Sequence, residues 1–245
     1  DGGTLGDTYS NQAELILDTI SAADKVGATP MDRPEWIAVD PVNGSVYLTL
    51  TNNTRRDEAT GTNPANPRLN NAYGHIIRWD EGTTATRFSW DIFLFGSPDD
   101  GDVDTNLSGL TAENQFASPD GLVFDPRGIL WVQTDNGASA VTEETNDQML
   151  AIIPSQLTDA DGNLQTVTAE NQENLRRFFV GPNGCEVTGL SFTPANEDFF
   201  INIQHPGNWP SSLADATTVT ASGTTVRPRA AVVVVTKDEG GAIGV

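Results

Sequence analysis

Three stretches of this 245-residue chain look alike, and each carries a carboxylate at or near its start. Glu35 lies in "RPEWIAVDPVNGSVYLTLTNN" (33–53), Asp120 in "SPDGLVFDPRGILWVQTDNG" (118–137) and Glu186, paired with Thr188, in "EVTGLSFTPANEDFFINIQHPG" (186–207). The far ends of the same stretches carry Asn52 and Asn53, Asp135 and Asn136, and Gln204 and His205. If the stretches pack side by side, these ends converge into an oxygen-rich pocket. That is what a hard cation needs, since Ca²⁺ takes about 6–8 oxygens from carboxylates, amides and carbonyls. Pro34 and Trp36 flank Glu35, and the glycines of "GPNGC" allow close backbone approach before Glu186. The "PDG" at Asp120 is also an ordinary turn sequence, and a turn cap fits it equally well.

The other reactive residue types say less. Cys185, the single cysteine, rules out an internal disulfide and suits a small buried hydrophobe. His75 and His205 lack zinc-site spacing; His205, at a strand end before Pro206, is the better placed of the two. In "NPRLNNAYGHIIRW" (66–79), Arg68 could grip a phosphate bidentately, and Asn70 or Asn71 could donate to an oxyanion. The alternative is a polar loop whose asparagines close turns. No GxSxG elbow and no P-loop occurs, so serine-esterase and nucleotide-hydrolase chemistry has no support.

The elements that must position these groups are strands. Each of the three stretches runs strand, Asp-Pro or Thr-Pro turn, then strand, which is a hairpin pattern. Matching Trp36, Gly121 and Gly189 spaces them by 85 and 68 residues. Further strands are expected in "GHIIRWDE", "TRFSWDIFLFG", "QMLAIIP", "LRRFFVGP" and "RAAVVVVTKD", and one helix in "NQAELILDTISAADKVGA", ended by Gly27. Segments 54–72, 97–118 and 208–228 are loops long enough to cover or build a site. The pattern predicts an all-β chain of the β-propeller class, about half of a closed propeller, with long loops and one short N-terminal helix. Residues 1–245 form a single propeller domain or a C-terminal propeller fragment.

Acidic residues number 34 against 13 basic, a net charge of −21, which argues against nucleic acid and anionic membranes as partners. Lys25 and Lys237 are the only lysines, so the positive charge is mostly arginine. No apolar run reaches membrane-spanning length. The chain opens at Asp1 without an initiator Met, as a mature or shortened chain would.

Taken together and in order, "GATPMDRPEWIAVDP", "YLTLTNN", "NPRLNNAYGHIIRW", "FASPDGLVFDPRGILWVQTD" and "GCEVTGLSFTP…FFINIQHPG" resemble the PhoX family of bacterial alkaline phosphatases. The resemblance implies a propeller phosphomonoesterase holding Ca²⁺ and Fe³⁺, exported by the twin-arginine route to the periplasm or beyond. It implies a small phosphomonoester as substrate and a monomer. Carried over by position, Glu35 and Glu186 are cluster carboxylates, Asp120 a calcium ligand, and Arg68 and Asn70 phosphate-side groups. Family chains are longer, and this sequence resembles their C-terminal half. Two other readings stand beside it: a calcium-dependent lactonase or esterase propeller, and a truncated, non-catalytic propeller fragment.

Overall fold

The computed structural model describes residues 4–84, 86–136, 145–206, 218–219, 225–226 and 229–244. The chain divides into two compact units, Asp1–Met31 and Asp32–Val245. In the first, a 3₁₀ turn (Leu5–Asp7) precedes α1 (Gln12–Leu17) and α2 (Thr19–Lys25). Asn11 caps α1 by accepting from the amides of Ala13 and Glu14. The single predicted helix is therefore two. The break is at Asp18, whose φ of −118° and ψ of 41° leave the helical region. Its carboxylate accepts from the Ser21 and Tyr9 hydroxyls. An aspartate that bonds locally competes with the helix ladder in this way. Gly27, at φ 67°, ends the segment as expected.

The second unit is built of antiparallel sheets in chain order. The first has β1 (Pro34–Val39), β2 (Val46–Leu50), β3 (His75–Glu81) and β4 (Phe88–Phe95), each paired with its neighbour. The second repeats the order with β5 (Pro119–Phe124), β6 (Leu130–Thr134), β7 (Gln148–Ile152) and β8 (Arg176–Val180). The third contains β9 (Glu186–Phe192), β10 (Asp198–Gln204) and β13 (Ala231–Thr236). A short ladder of β11 (Thr218–Val219) with β12 (Thr225–Val226) lies between them in sequence. Every predicted strand forms.

The three hairpins share one irregularity. Glu35 and Trp36 together oppose Thr49, Asp120 and Gly121 together oppose Gln133, and Gly189 is the extra residue in β9. A bulge of this kind re-aims side chains and strengthens local twist. Matching the three ladders at the bulge makes Glu35, Asp120 and Thr188 equivalent. Glu186 then stands where the other sheets have Arg33 and Ser118, both at positive φ (53° and 54°) before a proline. The Thr49 hydroxyl accepts from the Trp36 amide (2.9 Å) and donates to the Asp120 carbonyl (2.8 Å). It thus stitches the first bulge to the second.

Apolar alternation packs the sheets face to face. Tyr47, Ile76 and Phe93 of the first sheet meet Leu122, Val132 and Leu150 of the second. Trp131 and Met149 of the second meet Val187, Ile201 and Ile203 of the third. Tyr47 and Trp131 are fully buried, whereas Phe200, the residue at the same register in the third sheet, is 38 % exposed. Ile37 and Val39 of β1 are likewise exposed. The loops 54–72 and 97–118 are not covers alone: they send Arg56, Asn66, Arg68, Leu110 and Phe116 into the interior. Most of the third expected loop, 208–228, lies outside the described residues.

Candidate metal centre

The bulges and the β6 and β10 ends bring five groups to one place. Oxygens of Asp135 and Glu186 and a ring nitrogen of His205 all lie within 4.8 Å of one another. Nε2 of His205 is 3.3 Å from a Glu186 carboxylate oxygen, which also accepts from the Gln204 amide. Asp120 joins them electrostatically. Burial, then the charges of Glu35, Glu186 and Asp135, push its carboxyl up to about 6, with Arg33 pulling it back. Glu186 is raised as well, by burial and by Asp135, with His205 and Gln204 opposing. Glu35 sits at the rim, its side chain 34 % exposed and 3.7 Å from the Arg33 guanidinium. Arg33, 55 % exposed, also donates to the Asn52 side-chain oxygen Oδ1 at 3.0 Å.

Asp120 and Glu186, partly buried and raised by neighbouring carboxylates, hold charge the protein itself does not neutralise. Among the described residues, the basic groups in contact with them are Arg33 and His205. A donor set of carboxylates with one imidazole fits a hard cation or iron. The residues present therefore fit a metal.

The structure brings Glu35, Asp120 and Glu186 together, and it places Arg68 and Asn70 elsewhere. Arg68 is 8 % exposed, stacks over Phe95 at 5.0 Å, and donates to the carbonyls of Gly96 (2.8 Å), Thr105 (3.0 Å) and Gly74. Burial lowers it to about 10. With its terminal nitrogens taken by backbone, it pins loops and presents no surface to a phosphate. Asn70 is an exposed loop residue at φ 48° whose amide donates to the Arg56 carbonyl. Asn71 is buried, bonded to Asp32 and facing His75. The arginine at the carboxylates is Arg33. The sequence pattern assigned Arg33 no role; its place before Pro34 is visible in the sequence, but its positive φ and its distance from Glu35 are visible only in the fold. Asp135 and His205 stood at strand ends in the sequence, but nothing there assigned them a partner. Cys185 is buried, and its thiol is pushed up to about 12, mainly by burial.

Two clefts, of about 630 and 570 Å³, lie away from this cluster, along Arg176 and Arg177. From Asn136 and from Pro206, the chain runs directly into segments outside the described residues.

The family model for the alkaline phosphatase PhoX matches residues 3–207. The chain belongs to the PhoX family. A solved structure of Pseudomonas fluorescens PhoX, in complex with vanadate, a transition state analogue, is similar over 99 % of this chain, at 38 % identity and a TM-score of 0.79. This chain spans 40 % of that one. No curated protein matches the chain.

Proposed function

We propose that the chain carries the carboxylate side of a metal-dependent phosphomonoesterase site, and that its sheets are successive blades of a β-propeller. The observation that carries the proposal is the convergence of Glu35, Asp120, Asp135, Glu186 and His205 from three separate sheets. The exposed Phe200 and Ile37 faces, at registers buried between the sheets, suit an array that continues beyond these blades. Glu35, Asp120, Asp135, Glu186 and His205 would hold the ions, for which calcium and iron are proposed from the family resemblance. When bound, such cations supply positive charge for phosphate oxygens and Lewis-acid activation.

The chain's own residues do the rest. Against a background of −21, a phosphate dianion approaches only where local charge is reversed. Arg33 is the exposed guanidinium at that place, and Asn52, itself donating to the Ser118 hydroxyl, steadies it. Its free N–H groups can hold two phosphate oxygens with geometry that a lysine lacks. The backbone stitch through Thr49 keeps the Asp120 carbonyl in place, so the first two carboxylate positions move as one. A periplasmic or extracellular setting is also proposed, on the family resemblance alone.

Elemental analysis of the purified chain, with hydrolysis of a phosphomonoester before and after chelation, tests the reading. Bound calcium and iron with chelator-sensitive hydrolysis, lost in Glu35→Gln and Glu186→Gln, is the expected result. Protein that binds neither ion and turns over nothing would end it.

A further inference from the structure

Asp147 is a carboxylate just outside the proposed ligands, 7 % exposed at the start of β7. One of its oxygens accepts from the Thr134 hydroxyl (2.5 Å) and from the Asn136 amide (2.6 Å). Those residues flank Asp135 on either side, and the Asp135 amide is itself bonded to the Ser118 carbonyl at 3.0 Å. Backbone on both sides of Asp135 is therefore fixed, one side by Ser118 and the other by Asp147. The main chain at Asp147 reaches the other ligand segment. Its carbonyl accepts from the Gly181 amide at 2.7 Å, and the neighbouring Asn146 side chain donates to the Gly181 carbonyl at 3.1 Å. Gly181 leads into the loop that ends at Glu186.

The repeat shows that this is not a requirement of the sheets. At the register of Asp147, the first sheet has Gly74 and the third has Ala230. At that of Asp135, they have Thr51 and Gln204. The second sheet alone has a carboxylate at both positions, one at the cluster and one behind it. We propose that Asp147 is a positioning residue that fixes Asp135 against Glu186 and so sets how tightly the centre holds a cation. This rests on the metal-centre reading above. Outer partners that orient ligands are worth roughly 10-fold to 100-fold in metal affinity.

The test is calcium titration of the metal-stripped chain by calorimetry, well below its unfolding temperature, alongside thermal unfolding of each metal-free variant. In Asp147→Ala, affinity should fall roughly 10-fold to 100-fold. In Asp147→Asn, which keeps an acceptor oxygen for Thr134 and Asn136, it should stay within about threefold of wild type. Thr134→Val, losing one of the two donors, should fall between them and stands in if the alanine variant does not fold. Wild-type affinity in a folded Asp147→Ala, or in Thr134→Val, overturns the proposal. So does a loss in Asp147→Asn as large as in Asp147→Ala, which would make the charge matter rather than the hydrogen bonds. A wild-type chain that binds no calcium overturns the metal-centre reading and this inference with it; calcium binding that ignores Asp147 overturns this inference alone.

Discussion

Acidification should act on this protein with two opposite signs, and His75 allows them to be separated. The ring is fully buried: Nε2 is bonded to the Ala65 carbonyl at 2.8 Å and Nδ1 faces the Asn71 amide at 3.3 Å. Burial is the main reason its pKa falls from 6.5 to about 4, with the Arg68 and Arg56 charges adding and Asp32 opposing. Above pH 6.5, both folded and unfolded chains carry a neutral ring, and this group gives no pH dependence. Between 6.5 and about 4, the unfolded chain takes up a proton that the folded one refuses, so stability falls as pH falls. At about 1.4 kcal/mol per pH unit, roughly 3 kcal/mol is lost across the window, and below it the loss stops.

Asp120 and Asp147 push the other way. Both are raised in the folded state, to about 6 and about 7 from 3.8, Asp147 chiefly by burial. As pH falls through those values the metal-free folded chain gains protons before the unfolded one, and stability rises. The measurement is therefore a difference: urea unfolding of the metal-free wild type and of His75→Gln at pH 7, 6, 5 and 4. The variant should begin less stable, because a packed and bonded ring is gone. It should lose less than wild type on acidification, the gap closing by roughly 3 kcal/mol. Parallel curves for the two proteins across that range would refute a neutral, buried His75. Saturating calcium should remove the Asp120 share of that carboxylate component, because a bound cation holds its ligands deprotonated, and leave a remainder from Asp147, which is raised chiefly by burial.

The other predictions concern individual side chains. Arg33→Ala should lower kcat/KM for a phosphomonoester by roughly 100-fold while leaving calcium affinity equal or higher, since a positive charge leaves the cluster. A drop in both would make Arg33 a support for the metal site instead. Arg68→Ala should cost about 3 kcal/mol in a denaturant melt, because three carbonyls lose their donor in the interior. Unchanged stability with lost turnover would return Arg68 to the substrate. Glu186→Gln should lose calcium binding yet raise the unfolding temperature of the metal-free protein, as repulsion with Asp135 is relieved.

The strands were legible because their signals are local. "VYLTL" and "LWVQT" alternate or run apolar between turn residues, and each forms the strand expected. The break at Asp18 was not, because Ala, Leu and Glu on both sides favour helix, and only the Ser21 and Tyr9 bonds to that carboxylate reveal the competing conformation. Arg68 was misjudged for a related reason. An arginine among asparagines has the composition of an anion site, but whether its guanidinium faces solvent depends on carbonyls 6, 28 and 37 residues away. Arg33 differs from Arg68 in exposure, not in kind.

The three sheets also show why the centre could be sensed but not assembled from sequence. Matching Trp36, Gly121 and Gly189 sets Thr188 level with Glu35 and Asp120, and the ladders agree, with Glu186 at the register of Arg33 and Ser118; what the motifs left open was which of Glu186 and Thr188 meets the other carboxylates. Glu186 reaches the cluster from a different rung, and it meets Asp135 and His205, which come from the far ends of other strands. The repeated parts of the hairpins, the bulge and the apolar registers, are what folding requires of every sheet. The chemistry lies in the departures from the repeat: Asp135 for Thr51, Glu186 for Ser118, His205 for Asn52, Asp147 for Gly74. Asp135, His205 and Asp147 each place a charged or titratable group where the other sheets have none, and Glu186 stands where the first sheet has the opposite charge of Arg33. On the reading proposed above, a bound cation would make that concentration of carboxylates tolerable in a chain already at −21.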